Sequence, residues 1–141
     1  MQTVTGQRRT PPAVIIHGIA DARFALGLAG PRSVLLLSAP GAAGFLGPGW
    51  WQALLRATAA EAQGLLDCDH APGLALAALR LGLPRVLLLA AAPGHAAVAA
   101  AAAEAGAELV AVRPPALDLR GLDLSHPGAP RKLGAWLDAA R

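Results

Sequence analysis

The sequence predicts an α/β fold: a three-layer, open doubly wound sheet of about five short parallel strands alternating with helices. Short aliphatic runs recur along the chain, and each is followed by Gly or Pro and then by a stretch with helical spacing. The runs are almost continuously apolar, as is typical of parallel strands covered on both faces. Hydrophobic residues make up 55% of the 141 residues, enough for the core of a single domain. A partial (β/α) barrel would show the same pattern and is the alternative.

The first elements are separated by proline and glycine. Residues 1–12 are polar and end in Pro11-Pro12, so they are predicted to form a flexible arm before a single α/β domain at 13–141. Residues 13–17 form the first strand because they are largely β-branched. Residues 19–29 follow as a helix that ends at Gly30.

The second unit contains a long glycine-rich connection. Residues 33–37 are aliphatic and predict a buried strand, and residues 38–49 predict a loop. The helix predicted at 50–62 places Trp51, Leu54 and Leu55 on one stripe.

The pattern then repeats with shorter connections. It predicts strands at 65–68, 85–90 and 108–112 and helices at 72–81 and 95–105.

The pattern changes after Arg113-Pro114-Pro115. Residues 116–128 are predicted to be a loop with a short extended piece at 117–119. Residues 130–140 predict a terminal helix with Leu133 and Leu137 on one face.

Composition argues against several classes of protein. The twelve Lys and Arg residues are scattered and aromatic residues make up 4%, so no nucleic-acid surface is predicted. The single cysteine cannot form an internal disulfide, which favours a cytoplasmic location. The long uncharged stretches at 33–55 and 86–103 are interrupted by Pro-Gly, so no membrane span is predicted.

The tripeptide Ala-Pro-Gly follows three of the predicted strands, at 39–41, 71–73 and 92–94. Helix N-termini at these junctions would meet at the carboxyl edge of a parallel sheet, where free N–H groups favour an anion. Gly41, Gly73 and Gly94 are therefore predicted ligand-binding positions. The glycine spacing matches neither a P-loop nor a dinucleotide fingerprint, and the junctions also fit a plain turn between strand and helix.

Polar side chains are scarce in the chain, yet several fall where predicted strands end. We predict catalytic roles for some and ligand binding for others. The predicted catalytic residues are His17, Asp67, Cys68 and His70, and the predicted ligand-binding side chains are Ser38, Asp69 and His95.

Asp67 or His17 would act as a general base, and Cys68 as a thiolate nucleophile. Three alternatives remain open. Asp67 could cap a loop through backbone N–H groups, and Cys68 could be a small core residue. The last is a divalent metal site formed by carboxylates and histidines, namely Asp67, Asp69, His70, His17 and His95; our prediction is that no metal is bound.

The predicted function is the binding of a small anionic or phosphorylated molecule at the carboxyl edge of the sheet. The sequence identifies no cofactor and leaves open whether the protein is an enzyme. The alternative is a non-catalytic, homo-oligomeric assembly or interaction domain, such as a homodimer formed through Trp50 and the helix that carries Trp136.

Overall fold

The fold is an α/β arrangement in which six strands form one all-parallel sheet, as seen in a computed structural model that describes residues 10–139. Residues 1–9 of the predicted arm lie outside the described residues. The strands are Ala13–Ile16 (β1), Leu35–Ser38 (β2), Gly64–Asp67 (β3), Arg85–Leu87 (β4), Glu108–Val110 (β5) and Ala116–Asp118 (β6). The helices are Ile19–Ala29 (α1), Ala42–Phe45 (α2), Pro48–Ala57 (α3), Pro72–Arg80 (α4), His95–Ala105 (α5) and Gly128–Ala139 (α6).

The strand order across the sheet is β5-β4-β3-β2-β1-β6. From β1 to β5 the strands follow one another in chain order, and β6 then pairs with the other side of β1. The sheet is not closed, because β5 and β6 form its opposite edges. The α/β class and the open parallel sheet are therefore confirmed. The same succession of strands would occur in a partial barrel opened between β5 and β6.

The two faces of the sheet belong to different hydrophobic clusters, because alternate residues of a strand point to opposite faces. The first cluster joins alternate strand residues such as Val14 and Leu36 to buried residues of α1, α3, α4, α5 and α6. The buried members of the second cluster are all strand residues, namely Ala13, Leu35, Leu37, Leu65 and Leu87. Residues 111–115, called the crossing segment below, connect β5 at one edge to β6 at the other.

The structure corrects the prediction of five strands followed by a loop at 116–128. Ala116–Asp118 is a sixth strand, paired with β1 from Ala13 to Ile15, and a 3₁₀ turn follows at Leu119–Gly121. The strand is only three residues long and lacks an aliphatic run. Its extended conformation therefore depends on pairing with β1 and not on a hydrophobic pattern of its own. The loop predicted at 38–49 likewise contains α2.

Several element boundaries differ from the prediction by a few residues. The second strand begins at Leu35 and includes Ser38, while β4 and β5 end sooner than predicted. Backbone bonds continue past β4, since Leu88 N–H donates to Val110 O at 3.0 Å. The terminal helix α6 buries Leu133 and Leu137 as predicted.

None of the helices within residues 10–139 is long and apolar enough to cross a membrane.

Candidate functional site at the carboxyl edge of the sheet

Polar side chains gather in two groups at the carboxyl ends of the strands. The β3 cluster consists of Asp67, Asp69 and Arg113. The β1–β6 cluster consists of His17, Asp118 and Arg120. Strand β2 lies between β1 and β3, which separates the two clusters by about 10 Å at the usual strand spacing.

Asp67 is the centre of the β3 cluster and is fully buried. Its Oδ1 accepts hydrogen bonds from the backbone N–H of Gly41 at 3.2 Å and of Asp69 at 2.9 Å. Arg113 donates from Nη2 to the same oxygen at 3.1 Å and from Nε to Oδ2 at 2.7 Å. A buried carboxylate is tolerated only when it is paired and hydrogen-bonded, and these four bonds meet that requirement. The two backbone bonds support the capping alternative for Asp67.

Arg113 also joins Asp67 to Asp69, because Nη2 donates to Asp69 Oδ1 at 2.7 Å. The hydrogen bond from Arg113 is the main reason why the pKa of Asp69 lies below its ordinary value. The bond to Asp67 is likewise the main reason why the pKa of Arg113 is raised. Asp69 has a φ of 53°, in the left-handed region that an Asp side chain tolerates better than most. The crossing segment is thus attached to the end of β3.

Ser38 and Gly41 contact the β3 cluster from the end of β2. The Ser38 hydroxyl is buried and accepts the backbone N–H of Asp67 at 2.8 Å. Gly41 donates its own N–H to Asp67, in a left-handed conformation with a φ of 71°. Both predicted ligand-binding residues therefore bond to Asp67 itself.

Cys68 lies on the helix-covered face and is 1% exposed. Burial, together with the nearby Asp67 carboxylate, raises its pKa from the ordinary 9.0 to about 12. A nucleophilic cysteine needs exposure and a lowered pKa. The position of Cys68 supports the alternative, a small core residue, and we leave it out of the proposed site.

The β1–β6 cluster is built around the imidazole of His17, directly after β1. Its Nε2 lies 2.6 Å from Asp118 Oδ1, at the end of β6. Its Nδ1 lies 3.4 Å from Arg120 Nη2, and the Arg120 backbone N–H donates to Asp118 Oδ1 at 2.9 Å. The side chain of His17 is 19% exposed and that of Asp118 is 47% exposed. Solvent therefore reaches this cluster, whereas Asp67 is sealed.

Two carboxylates hold His17 in position. Partial burial alone would raise the pKa of Asp118, but hydrogen bonds from His17 and Arg120 outweigh it and lower that pKa. Asp21, in the first turn of α1, accepts the backbone N–H of His17 at 2.8 Å. The imidazole is thus oriented through both its ring and its backbone.

Of the other predicted site residues, only His70 bears on a cluster: its backbone N–H contributes to the lowered pKa of Asp69, after the larger effect of Arg113. His70 is exposed and directly follows Asp69. His95 Nδ1 lies 3.1 Å from Leu89 O, within bonding distance of the backbone. Gly73 lies exposed in the first turn of α4, and Gly94 precedes α5 with a φ of 72°.

The Ala-Pro-Gly junctions are not structurally equivalent. Only Pro72 occupies the first turn of its helix, α4. At the other two junctions, Gly41 and Gly94 are left-handed residues that precede α2 and α5.

Within residues 10–139, no group of three or more His, Cys, Asp or Glu side chains is arranged to hold a metal ion. The five residues of the metal alternative do not converge, because His17 pairs with Asp118 while Asp67 and Asp69 pair with Arg113.

Three residues of the clusters were not predicted from the sequence. Arg113 was noted only where the sequence pattern changes, Asp118 fell in the extended piece predicted at 117–119, and Arg120 fell in the predicted loop around it. The predicted burial of Asp67 could have pointed to Arg113, because a buried carboxylate is stable only when it is paired and hydrogen-bonded. Asp118 and Arg120 could be found only once β6 is known to pair with β1.

A cavity of about 540 Å³ lies near the opposite, amino ends of the strands. Residues of the second cluster, Leu35 and Leu65, line it, and so do Val112 and Pro114 of the crossing segment. It is therefore separate from both polar clusters.

Compared with protein-family models, curated proteins and solved structures, the chain matches none of them.

Proposed function

We propose that the protein binds a small anionic molecule, such as a carboxylate or a phosphate, at the carboxyl edge of the sheet between β1 and β6. The observation that carries the proposal is the His17 imidazole, which lies between the carboxylate of Asp118 and the guanidinium of Arg120. In open α/β sheets, ligands bind beyond the carboxyl ends of the strands. Strands β1 and β6 are neighbours in the sheet, and His17 and Asp118 lie at their carboxyl ends.

The protonation state of His17 is the first step of the proposal. Asp118 Oδ1 accepts a hydrogen bond from His17 Nε2, so in the neutral imidazole the proton is on Nε2. Nδ1 then carries the lone pair, which suits the guanidinium donor of Arg120 at 3.4 Å. An anion needs donors, so it would bind to Nδ1 only after that nitrogen takes up a proton.

The charges around His17 also favour a protonated imidazole in the complex with an anion. With neutral His17, the β1–β6 cluster carries one cation, Arg120, against the carboxylates of Asp118 and of the adjoining Asp21. A proton on His17 balances these charges, and Asp118 stabilises the imidazolium. We therefore expect the anion to bind between the protonated imidazole of His17 and Arg120, its second, charge-assisted donor.

The β3 cluster is not part of the proposed ligand site. Both oxygens of Asp67 accept hydrogen bonds from the protein, and Arg113 carries one charge against two carboxylates. Added negative charge would be unfavourable there. These bonds favour a role in holding the crossing segment to the end of β3.

The test is calorimetric titration of the full chain with inorganic phosphate at fixed pH and ionic strength. Wild-type protein should bind phosphate saturably. Arg120→Met should weaken binding about tenfold or more, the usual effect of losing a hydrogen bond to a charged group. His17→Gln should weaken binding as well, because it removes the imidazole donor.

Arg23→Met is the matched control, because Arg23 is an exposed cation of α1 outside the cluster and its loss changes the net charge equally. Equal weakening by Arg23→Met and Arg120→Met would mean that phosphate responds only to net charge and would overturn the proposal. Absence of phosphate binding would overturn it as well.

The second candidate is homo-oligomeric assembly, which one observation favours. Phe45 and Leu46 are adjacent and 64% and 44% exposed. Trp136, in contrast, donates from Nε1 to Ala13 O at 2.9 Å, and Trp50 packs against the core. We therefore place the candidate contact at Phe45 and Leu46, and the native mass in solution decides whether it forms.

We also propose a cytoplasmic location, which the free, buried thiol of Cys68 supports.

A further inference from the structure

The cavity near the amino ends of the strands has an apolar floor and a charged wall. Its volume of about 540 Å³ lies within the range of small-molecule sites. Leu35, Leu65 and Val110 line it from the sheet, and Val112, which is 71% exposed, lines it from the crossing segment. Leu35 and Leu65 are themselves buried, so an apolar side chain bound here would cover chiefly the exposed Val112 and the half-buried Val110.

The charged wall is the ion pair of Arg85 and Glu108, which both line the cavity. The two residues are direct neighbours in the pairing of β4 with β5, and Arg85 Nε donates to Glu108 Oε1 at 2.7 Å. Arg85 Nη1 donates to Ala62 O at 3.2 Å, which fixes the guanidinium further. Within residues 10–139, Arg85 Nη2 donates to no other group and Glu108 Oε2 accepts from none. A cationic donor and an anionic acceptor are therefore held side by side.

We infer that this cavity binds a free α-amino acid with a large apolar side chain. The ligand's carboxylate would accept from Arg85 Nη2, and its ammonium would donate to Glu108 Oε2. Its side chain would lie on Val110 and Val112. Each part of the ligand would thus contact one part of the cavity: its carboxylate the guanidinium, its ammonium the Glu108 carboxylate, and its side chain the apolar residues.

Charge complementarity selects a zwitterion over other apolar ligands. Arg85 and Glu108 together carry no net charge, so a simple anion would leave its charge beside the Glu108 carboxylate. A simple amine would face Arg85 in the same way. A ligand that carries both charges on neighbouring atoms avoids both repulsions.

The test uses L-leucine, L-phenylalanine and two compounds that each keep half of the leucine head group. These are 4-methylpentanoate, which lacks the ammonium, and 3-methylbutylamine, which lacks the carboxylate. Titrations of the full chain followed by NMR should show saturable binding of at least one of the two amino acids. Binding of each half compound should be at least about tenfold weaker than that of leucine or undetectable, because each loses one charged hydrogen bond.

Arg85→Met and Glu108→Gln should each weaken amino-acid binding at least about tenfold. The control pair is Arg32→Met and Asp138→Asn, which break an ion pair of 2.6 Å that does not line the cavity and should leave the affinity unchanged. Each variant's melting temperature identifies loss of folding. If Arg85→Met unfolds the chain, Glu108→Gln and the half compounds still test the inference.

Three results would overturn the inference. They are dissociation constants weaker than about 1 mM for both amino acids, half compounds that bind as well as leucine, or equal losses in the control variants. None depends on the phosphate experiment, because the two sites lie at opposite ends of the strands.

Discussion

At the scale of single residues, Asp67 is the hub of the carboxyl edge. It is fully buried and bonds to Gly41 after β2, Asp69 after β3 and Arg113 of the crossing segment. The same bonds weaken the case for a general base, since its oxygens already accept four donors from the protein. Its contribution is therefore expected in stability.

We expect Asp67→Asn to lower the free energy of unfolding by about 3–5 kcal/mol, because it removes one partner of a buried ion pair. Urea unfolding followed by circular dichroism measures the change. Asp138→Asn is the control: Asp138 pairs with Arg32 at 2.6 Å, but its side chain is 66% exposed, so the loss should be about 1 kcal/mol or less. Equal losses in the two variants would contradict the role of Asp67 as a structural hub.

At the scale of elements, those with their own hydrophobic pattern could be predicted, while those that depend on a neighbour could not. Helices α1 and α5 have the predicted bounds, since Gly30 and Gly106 end them. Strand β6 was predicted only as a short extended piece inside a loop. It forms because Ala116 to Asp118 pair with β1, and the sequence of these three residues does not indicate which strand they pair with.

Strand β3 and helix α3 approach closely at Gly64, where a Cβ would overlap the side chain of Leu55. Gly64 has an ordinary extended backbone, with a φ of −92°, so alanine would meet no backbone strain. We expect Gly64→Ala to destabilise the protein by about 1–3 kcal/mol through overpacking against the buried Leu55. Urea unfolding measures the loss.

Two further variants test the cause of that loss. Adding Leu55→Ala makes room for the new methyl group, so Gly64→Ala should cost less in that background than in the wild type. Gly134→Ala in α6, with open space around its Cβ, should be neutral or stabilise the helix by up to about 1 kcal/mol. An unchanged cost of Gly64→Ala in the Leu55→Ala background would show that overlap is not its cause.

At the scale of the whole molecule, the sequence indicated the edge of the sheet that holds the polar groups but not their partners. Ser38 and Asp67 lie at that edge because each ends a parallel strand, and His17 lies there because it directly follows β1. Arg113 reaches Asp67 across 46 residues, and Asp118 reaches His17 across 101. Such partners follow from strand order, which depends on the packing of the whole sheet.

The lowered pKa values of carboxylates in different parts of the fold predict how overall stability depends on pH. Arg113 is the main cause of the lowered pKa of Asp69, and Ser125 is the main cause of the lowered pKa of Asp123. Partial burial would raise the pKa of Asp118, but hydrogen bonds from His17 and Arg120 lower it. A carboxyl group whose pKa is lower in the folded state binds fewer protons there than in the unfolded state. Its stabilisation is therefore present above the ordinary value of 3.8 and is lost as the pH falls through the folded value.

We expect the free energy of unfolding, as far as these groups determine it, to be level above about pH 5 and to fall as the pH approaches 3. Urea unfolding at half-unit steps of pH measures the curve. In Asp69→Asn the fall should be shallower, because asparagine has no proton to gain and the link to Arg113 is already weakened. A curve for Asp69→Asn parallel to that of the wild type would show that the ion pair with Arg113 does not contribute to acid sensitivity, and that the attachment of the crossing segment depends on Asp67 alone.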